Sequence, residues 1–315
     1  MERNAHIDSL KGLLIILVVF GHALERCYSG GPLFCLLHNA LYAFHMPMFI
    51  LISGYLTRRK PPKALASSSL TILLTYAIYQ GIHHLPLFRF DDNSLYDLLL
   101  VPEWTLWYLI SLIFWRLLLH ITPQRWTDHP VWLLTLSLTV ALAAGVIPCS
   151  RLLSVQRTLA FLPFFFAGHL LRQHAPSPKA PKALTTGAYV LTAAAALFFI
   201  LHSHTYYGRY LSMSASYAAP LEELLIRLLV ILTAFAICLT VVRLHHTRNF
   251  LTRIGRDSLF YYMLHSLILT ACVRLFACPS SLLLTLLLTA VIIVIPMPLP
   301  QKVKDFIASP CSVRL

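Results

Sequence analysis

Long apolar runs alternate with short polar ones along the whole chain. A bilayer core is about 30 Å thick, so a helix needs about 20 mostly apolar residues to cross it. Ten stretches approach that length: residues 7–26, 35–57, 64–85, 103–121, 130–149, 154–172, 184–203, 220–243, 257–277 and 280–298. The pattern predicts an all-α, polytopic membrane helical bundle of about ten transmembrane helices. We place the membrane-embedded domain at residues 1–300 and a short, basic, loosely ordered tail at 301–315. A run from Leu95 to Val101 is short and amphipathic, suited to the membrane interface. Residues 173–183 are rich in Pro and Lys and read as an extended linker. No internal repeat is apparent, which weighs against an inverted-repeat transporter.

The polar positions inside the apolar runs are more informative than the runs. The first run carries Asp8, Lys11, His22 and Arg26. At about 100° per residue these fall within about 60° of one another, on one helix face. Ionisable groups in hydrocarbon cost several kcal/mol each, so that face should look into a protein cavity. In the second run His38, Tyr42, His45 and Phe49 share a face, and Pro47 should kink the helix near His45. The bland reading of His45 is a packing histidine bonded to a nearby carbonyl. Ser53-Gly54 allows close helix approach. The fourth run places Glu103, Trp107 and Ser111 on one face, although aromatics there also suit an interfacial belt. Arg157 lies one turn into the sixth run, where it could simply snorkel outward. The ninth run has Ser258, Tyr261, Tyr262 and His265 on one face. Glu222 and Glu223 begin the eighth run, where carboxylates suit a helix N-terminus.

Composition supports the membrane reading. The 315 residues are 58% hydrophobic and 12% charged, with mean hydropathy +0.72; a soluble domain carries about 25% charged residues. The net charge is +13. Nucleic acid would be one partner for such a balance, but the cations sit in short loops between apolar runs. They read as a positive-inside bias plus attraction to anionic membrane lipid. With the N-terminus inside, the inner segments hold 18 of the 25 Lys and Arg residues. Both termini are therefore expected in the cytoplasm of a multi-pass protein of the cell (inner or plasma) membrane. Asp91, Asp92 and Asn93 fall in an outer connection. The first run reads as a retained signal anchor, for no small-x-small cleavage site follows it. Cys27 and Cys35 could share an outer loop and Cys272 and Cys278 flank another, but no CxxC spacing is present and no disulfide is assigned. Paired intramembrane histidines could ligate haem, yet their faces also carry Lys, Tyr and Asp, and no attachment signature is present.

The chain resembles the membrane-bound acyltransferase-3 family, and within it the fucose 4-O-acetylase-like branch. The residues that carry the resemblance are Ile7-Asp8-Ser9-Leu10-Lys11-Gly12 with His22, then Phe44-His45-Met46-Pro47 with Ser53-Gly54-Tyr55. Leu106-Trp107-Tyr108-Leu109, Phe161-Leu162-Pro163-Phe164-Phe165, and Ile254-Gly255 with Ser258-Leu259 and Tyr262-Met263-Leu264-His265 complete it. The family pattern in the first helix is a basic residue, ten residues, then histidine. The family usually has Arg at the basic position; Lys11 keeps the charge and loses the bidentate fork. The resemblance implies transfer of an acyl group, usually acetyl from acetyl-CoA, to a hydroxyl of a cell-surface glycan. Some relatives carry a fused extracytoplasmic domain. None is visible in this chain, so the membrane part is expected to complete the chemistry.

On that basis the expected catalytic residues are His22, Lys11 and Asp8, with His22 as general base or acyl carrier. His45, Trp107, Tyr262, His265 and Arg157 are expected at the acceptor or the oxyanion. Lys11, Arg58, Arg59 and Arg256 are candidates for the CoA phosphates, with a role as topology charges as the alternative for the three arginines. The acceptor is a glycan or a lipid-linked sugar. Acetyl-CoA serves as co-substrate, and neither metal nor nucleic acid is expected. The rival class is a glycan or lipid transporter or flippase with a polar intramembrane cavity and no acyl transfer. A non-catalytic scaffold is the third reading.

Overall fold

The structure is a computed structural model that describes residues 4–88, 95–148, 152–174, 181–276 and 280–310. Among these residues every regular element is helical. The first apolar run is one helix, α1 (Ala5–Cys27). Asn4 starts it by accepting from the His6 and Ile7 amides, and Asp8 sits favourably in its first turn. The second run is broken into α2 (Gly31–Tyr42) and α3 (His45–Leu56). The break, at Ala43 and Phe44, lies three to four residues before Pro47, which has no amide to bond one turn back. The third run is α4 (Pro62–His83), and the interfacial run is α5 (Leu95–Leu100), with Leu95 and Leu99 exposed.

The fourth run forms α6 (Trp107–Ile121), followed by the short α7 (Gln124–Thr127) and then α8 (Pro130–Ala143). The sixth run is interrupted at Phe161 into α9 (Val155–Ala160) and α10 (Leu162–His174). Then come α11 (Lys182–Leu201), the single turn α12 (Gly208–Leu211) and α13 (Pro220–Leu244). The ninth run is preceded by a separate amphipathic α14 (Asn249–Arg256) before α15 (Ser258–Phe276). Last are α16 (Leu282–Val294) and α17 (Gln301–Ala308). Proline at the first turn of α4, α8 and α13 fits there because that amide has no intrahelical partner.

Six spans are long and apolar enough to cross a membrane: Ala5–Cys27, Gly31–Leu56, Pro62–His83, Lys182–Leu201, Pro220–Leu244 and Ser258–Phe276. Three further apolar helices, within 107–121, 130–146 and 282–294, are shorter. Two expectations need revision. The fourth run does not begin its helix at Glu103 but at Trp107. The tail beyond Pro300 is not loose up to Ala308: Lys304 of α17 is buried, pairs with Asp257 at 2.9 Å and bonds the Met297 carbonyl, and Tyr79 bonds the Ile307 carbonyl. Arg89, Asp91, Asp92, Asn93, Arg151, Cys278 and residues 175–180 of the linker lie outside the described residues.

The chain forms two compact units, residues 1–30, 62–113 and 246–315 in the first, and 31–61 and 114–245 in the second. In the first, α1 is packed by α14, α15 and α16. Gly12 and Gly255 let α1 and α14 touch backbone to backbone. A Cβ on Gly255 would lie 1.7 Å from the Asp8 carbonyl oxygen, and one on Gly12 2.0 Å from that of Leu251. In the second unit α3 and α10 meet the same way. A Cβ on Gly54 would lie 1.9 Å from the Phe165 carbonyl oxygen, and one on Gly168 1.8 Å from that of Leu51. The close approach expected at Ser53-Gly54 is thus present, and its partner is the Phe-rich stretch of α10. Trp115 is fully buried in this unit, stacked on Phe165 with its indole N–H on the Thr158 carbonyl.

Candidate functional site

The polar residues of the first unit converge on the C-terminal half of α1. His22 stacks on His265 of α15 with ring centroids 5.4 Å apart, and Trp104 meets the His22 ring nearly edge-on at 4.7 Å. The Arg26 guanidinium lies 4.4 Å from the Trp104 ring centre, a cation–π contact. One turn beyond His22, Glu25 accepts from its Nδ1 at 3.1 Å. An ionised carboxylate can only accept, so this bond places the proton on Nδ1 and leaves the lone pair on Nε2. His265 is fully buried, with Nδ1 on the Tyr261 carbonyl at 3.1 Å. Its Nε2 is buried without a hydrogen-bond partner among the described residues. Next to it on α15, Ser266 bonds Nε2 of His83 from α4 at 3.1 Å.

Trp104 reaches this position through an unusual backbone. Its φ is +30°, a region bulky L-residues avoid, at a cost of about 1–3 kcal/mol. This kink is why α6 cannot start at Glu103. The neighbours of Trp104 are held from two sides. The Glu103 amide donates to Oε1 of Gln80 at 2.9 Å, and the Tyr262 hydroxyl donates to the Thr105 carbonyl. Gln80 is buried within α4, and its amide nitrogen also donates to the Val101 carbonyl at 2.7 Å.

The residues singled out from sequence are distributed as follows. His22, His265 and Tyr262 lie together; the Tyr262 ring is 6.0 Å from that of His265. Trp107 is buried at the start of α6, its ring 6.3 Å from that of Tyr108, which in turn packs 5.6 Å from Tyr262. Asp8 and Lys11 pair at 3.3 Å near the other end of α1, and eleven residues at 1.5 Å each separate Lys11 from His22 by about 16 Å. Arg256 ends α14. The rest belong to the second unit. His45 begins α3 and spends Nδ1 on the Leu41 carbonyl at 2.7 Å, the packing arrangement, with Tyr42 edge-on to its ring. Arg157 lies in α9. Arg58 and Arg59 follow α3; burial, opposed by Asp128, pulls the Arg59 pKa down, and its Nε and Nη2 are buried without a hydrogen-bond partner among the described residues.

Sequence reasoning passed over Glu25, Gln80, His83 and Trp104. Glu25 carried a signal, since carboxylate and imidazole three apart on a helix are neighbours. Gln80 and His83 were polar residues in an apolar run. Trp104 read as a belt aromatic, and nothing local announces its backbone. Among the described residues, no three His, Cys, Asp or Glu side chains cluster to hold a metal ion.

Helices of spanning length and apolar composition, with the part-buried His22 stacked on the buried His265 in one helical unit, are those of a membrane protein with ionisable side chains packed among its helices. Residues 4–299 match the acyltransferase domain family Acyl_transf_3, and the chain belongs to that family. It is also similar to nodulation protein NolL of Sinorhizobium fredii, 48% identical over 58 residues, which is 18% of this chain and 16% of that protein. Nodulation protein NolL of Mesorhizobium japonicum is 44% identical over 59 residues, again 18% and 16%. The matched stretch thus spans about a sixth of each relative. No solved structure gives a significant match.

Proposed function

We propose that this protein is a membrane O-acyltransferase that moves an acetyl group from cytoplasmic acetyl-CoA to a hydroxyl of a cell-envelope glycan or glycolipid sugar. The observation that carries the reading is the Glu25–His22 hydrogen bond beside His265 and Trp104. It supports an imidazole held in one tautomer, with the proton on Nδ1 and the basic lone pair on Nε2. The acceptor hydroxyl gives its proton to Nε2 of His22 as its oxygen attacks the thioester carbonyl. The tetrahedral intermediate collapses, the C–S bond breaks, and the imidazolium returns the proton to the departing CoA sulfur. An acyl-His22 intermediate is the two-step version of the same transfer. His265, with its buried Nε2, is suited to the oxyanion or the acceptor, as is Trp107; His45 and Arg157, in the second unit, are candidates on the sequence resemblance alone. Tyr262 stays an acceptor candidate through its ring, its hydroxyl being taken by Thr105.

The CoA phosphates bind at the cytoplasmic end. Lys11 and Arg256 of the first unit are two candidates, and Arg58 and Arg59 of the second are the others. Arg59 has guanidinium nitrogens buried without a hydrogen-bond partner among the described residues, which would suit a phosphate oxygen. An extended pantetheine arm is comparable with the about 16 Å from Lys11 to His22. With the N-terminus inside, as the charge bias favours, Lys11 faces the cytoplasm and His22 the outer side of the cell membrane. A fucose 4-O-acetylase-like acceptor, which the sequence resemblance implies, belongs to the same proposal.

The deciding experiment is acetyl transfer by membranes carrying wild type or His22→Ala, with labelled acetyl-CoA and mass spectrometry of envelope glycans. Loss of transfer by about 10²-fold or more is expected. A folded, inserted His22→Ala protein with full transfer would remove the centre of the proposal.

A further inference from the structure

We propose that Gln80 and Tyr262 are positioning residues that clamp the backbone on both sides of Trp104 and so hold its indole against His22. The inference rests on His22 being the reacting base, and it assigns neither clamp residue a contact with substrate.

The case begins with the backbone of Trp104, whose φ of +30° survives only if its surroundings over-determine it. Residue 103 is fixed by its amide on Oε1 of Gln80, and residue 105 by its carbonyl under the Tyr262 hydroxyl. The two side chains come from different helices, α4 and α15. Gln80 does more than accept one bond. Its amide nitrogen lies 2.7 Å from the Val101 carbonyl oxygen and 3.3 and 3.4 Å from those of Leu98 and Asp97. One buried amide therefore takes up the end of α5 and the amide just before Trp104. A side-chain amide supplies donor and acceptor from one planar group, as these bonds require.

A simpler role is open to Gln80: satisfying carbonyls that would otherwise be stranded where water is scarce. That role ends at the backbone. The clamp continues to Trp104, and from its ring to His22 at 4.7 Å and Arg26 at 4.4 Å. The two accounts differ in whether loosening residues 103–105 is felt at His22.

The test uses the full chain in detergent or nanodiscs. The rate of His22 modification by diethylpyrocarbonate is read by peptide mass spectrometry for wild type, Gln80→Met, Tyr262→Phe, Trp104→Ala and each clamp variant combined with Trp104→Ala. We expect each clamp variant to raise His22 modification several-fold. In the Trp104→Ala background neither should add anything, because the coupling runs through that ring. Unchanged His22 modification in folded Gln80→Met and Tyr262→Phe would overturn the clamp, as would increments that persist in full without Trp104. Should Gln80→Met fail to accumulate, Tyr262→Phe loses a single hydroxyl and carries the test alone. The readout is independent of acyl transfer, so failure of the clamp and failure of the acyltransferase reading are distinguishable. Where transfer is measured, each clamp variant should lower kcat by about 10²-fold with little change in KM, as for a misplaced catalytic group.

Discussion

Glu25 lies one turn beyond His22 on the same helix and accepts a hydrogen bond from its Nδ1 at 3.1 Å. The pair needs no tertiary contact to form, so helix geometry alone sets the tautomer of the imidazole. Glu25→Ala should lower acetyl transfer by about 10²-fold or more, the order expected for a general base that loses its proton arrangement. Glu25→Gln can still turn its carbonyl toward Nδ1–H and should lose less. Equal losses in the two variants, measured as kcat/KM, would mean that charge rather than tautomer matters.

Lys11 pairs with the buried Asp8 at 3.3 Å and heads the basic group proposed for CoA. Lys11→Ala should raise the KM for acetyl-CoA, and Lys11→Arg should keep it near the wild-type value. Titration of initial rates against acetyl-CoA separates the two. An unchanged KM in Lys11→Ala assigns Lys11 to the Asp8 pair alone.

The backbone contact between α1 and α14 gives a prediction about folding. Gly255→Ala puts a Cβ 1.7 Å from the Asp8 carbonyl oxygen, and Gly12→Ala puts one 2.0 Å from that of Leu251. Neither obstacle is a side chain that can turn aside. Each variant should lose about 1–3 kcal/mol, the usual range for overpacking, seen as a lower Tm in detergent. Gly187→Ala is the control, since nothing lies within 4 Å of its added Cβ.

The docking of α17 rests on Lys304 and Asp257, whose side chains are 8% and 11% exposed. Removing one partner from a buried pair costs about 3–5 kcal/mol. Lys304→Met should therefore free the C-terminal helix and speed its removal by protease. The double variant Asp257→Asn, Lys304→Met should recover most of the protection.

Much of this was legible where the information is periodic. The apolar runs located the six helices long enough to cross a membrane, though not the amphipathic α14 and α17, and Pro47 located the break between α2 and α3. The shared face of Ser258, Tyr261, Tyr262 and His265 is buried throughout. Glu223 shows a reading that was sound but incomplete: it does sit in the first turn of α13, yet it also bonds Arg209 and the Ala218 amide. What local pattern could not carry was contact between separate elements. Gln80 and Glu103 are 23 residues apart, and Tyr262 and Thr105 are 157 apart. The consequence of those two bonds, a left-handed tryptophan at the end of a polar turn, has no signature in a helical wheel.

The glycine contact between α1 and α14 also bears on how substrate could enter. A helix that slid by a single residue rise, about 1.5 Å, would drive the Asp8 and Leu251 carbonyls past glycines that leave room for them at one register only. The histidine is thus mounted on a stator. Whatever route an acceptor takes to His22 must leave that register in place, while the α5-to-Trp104 segment beside it is held by side-chain bonds rather than by interlocked backbone.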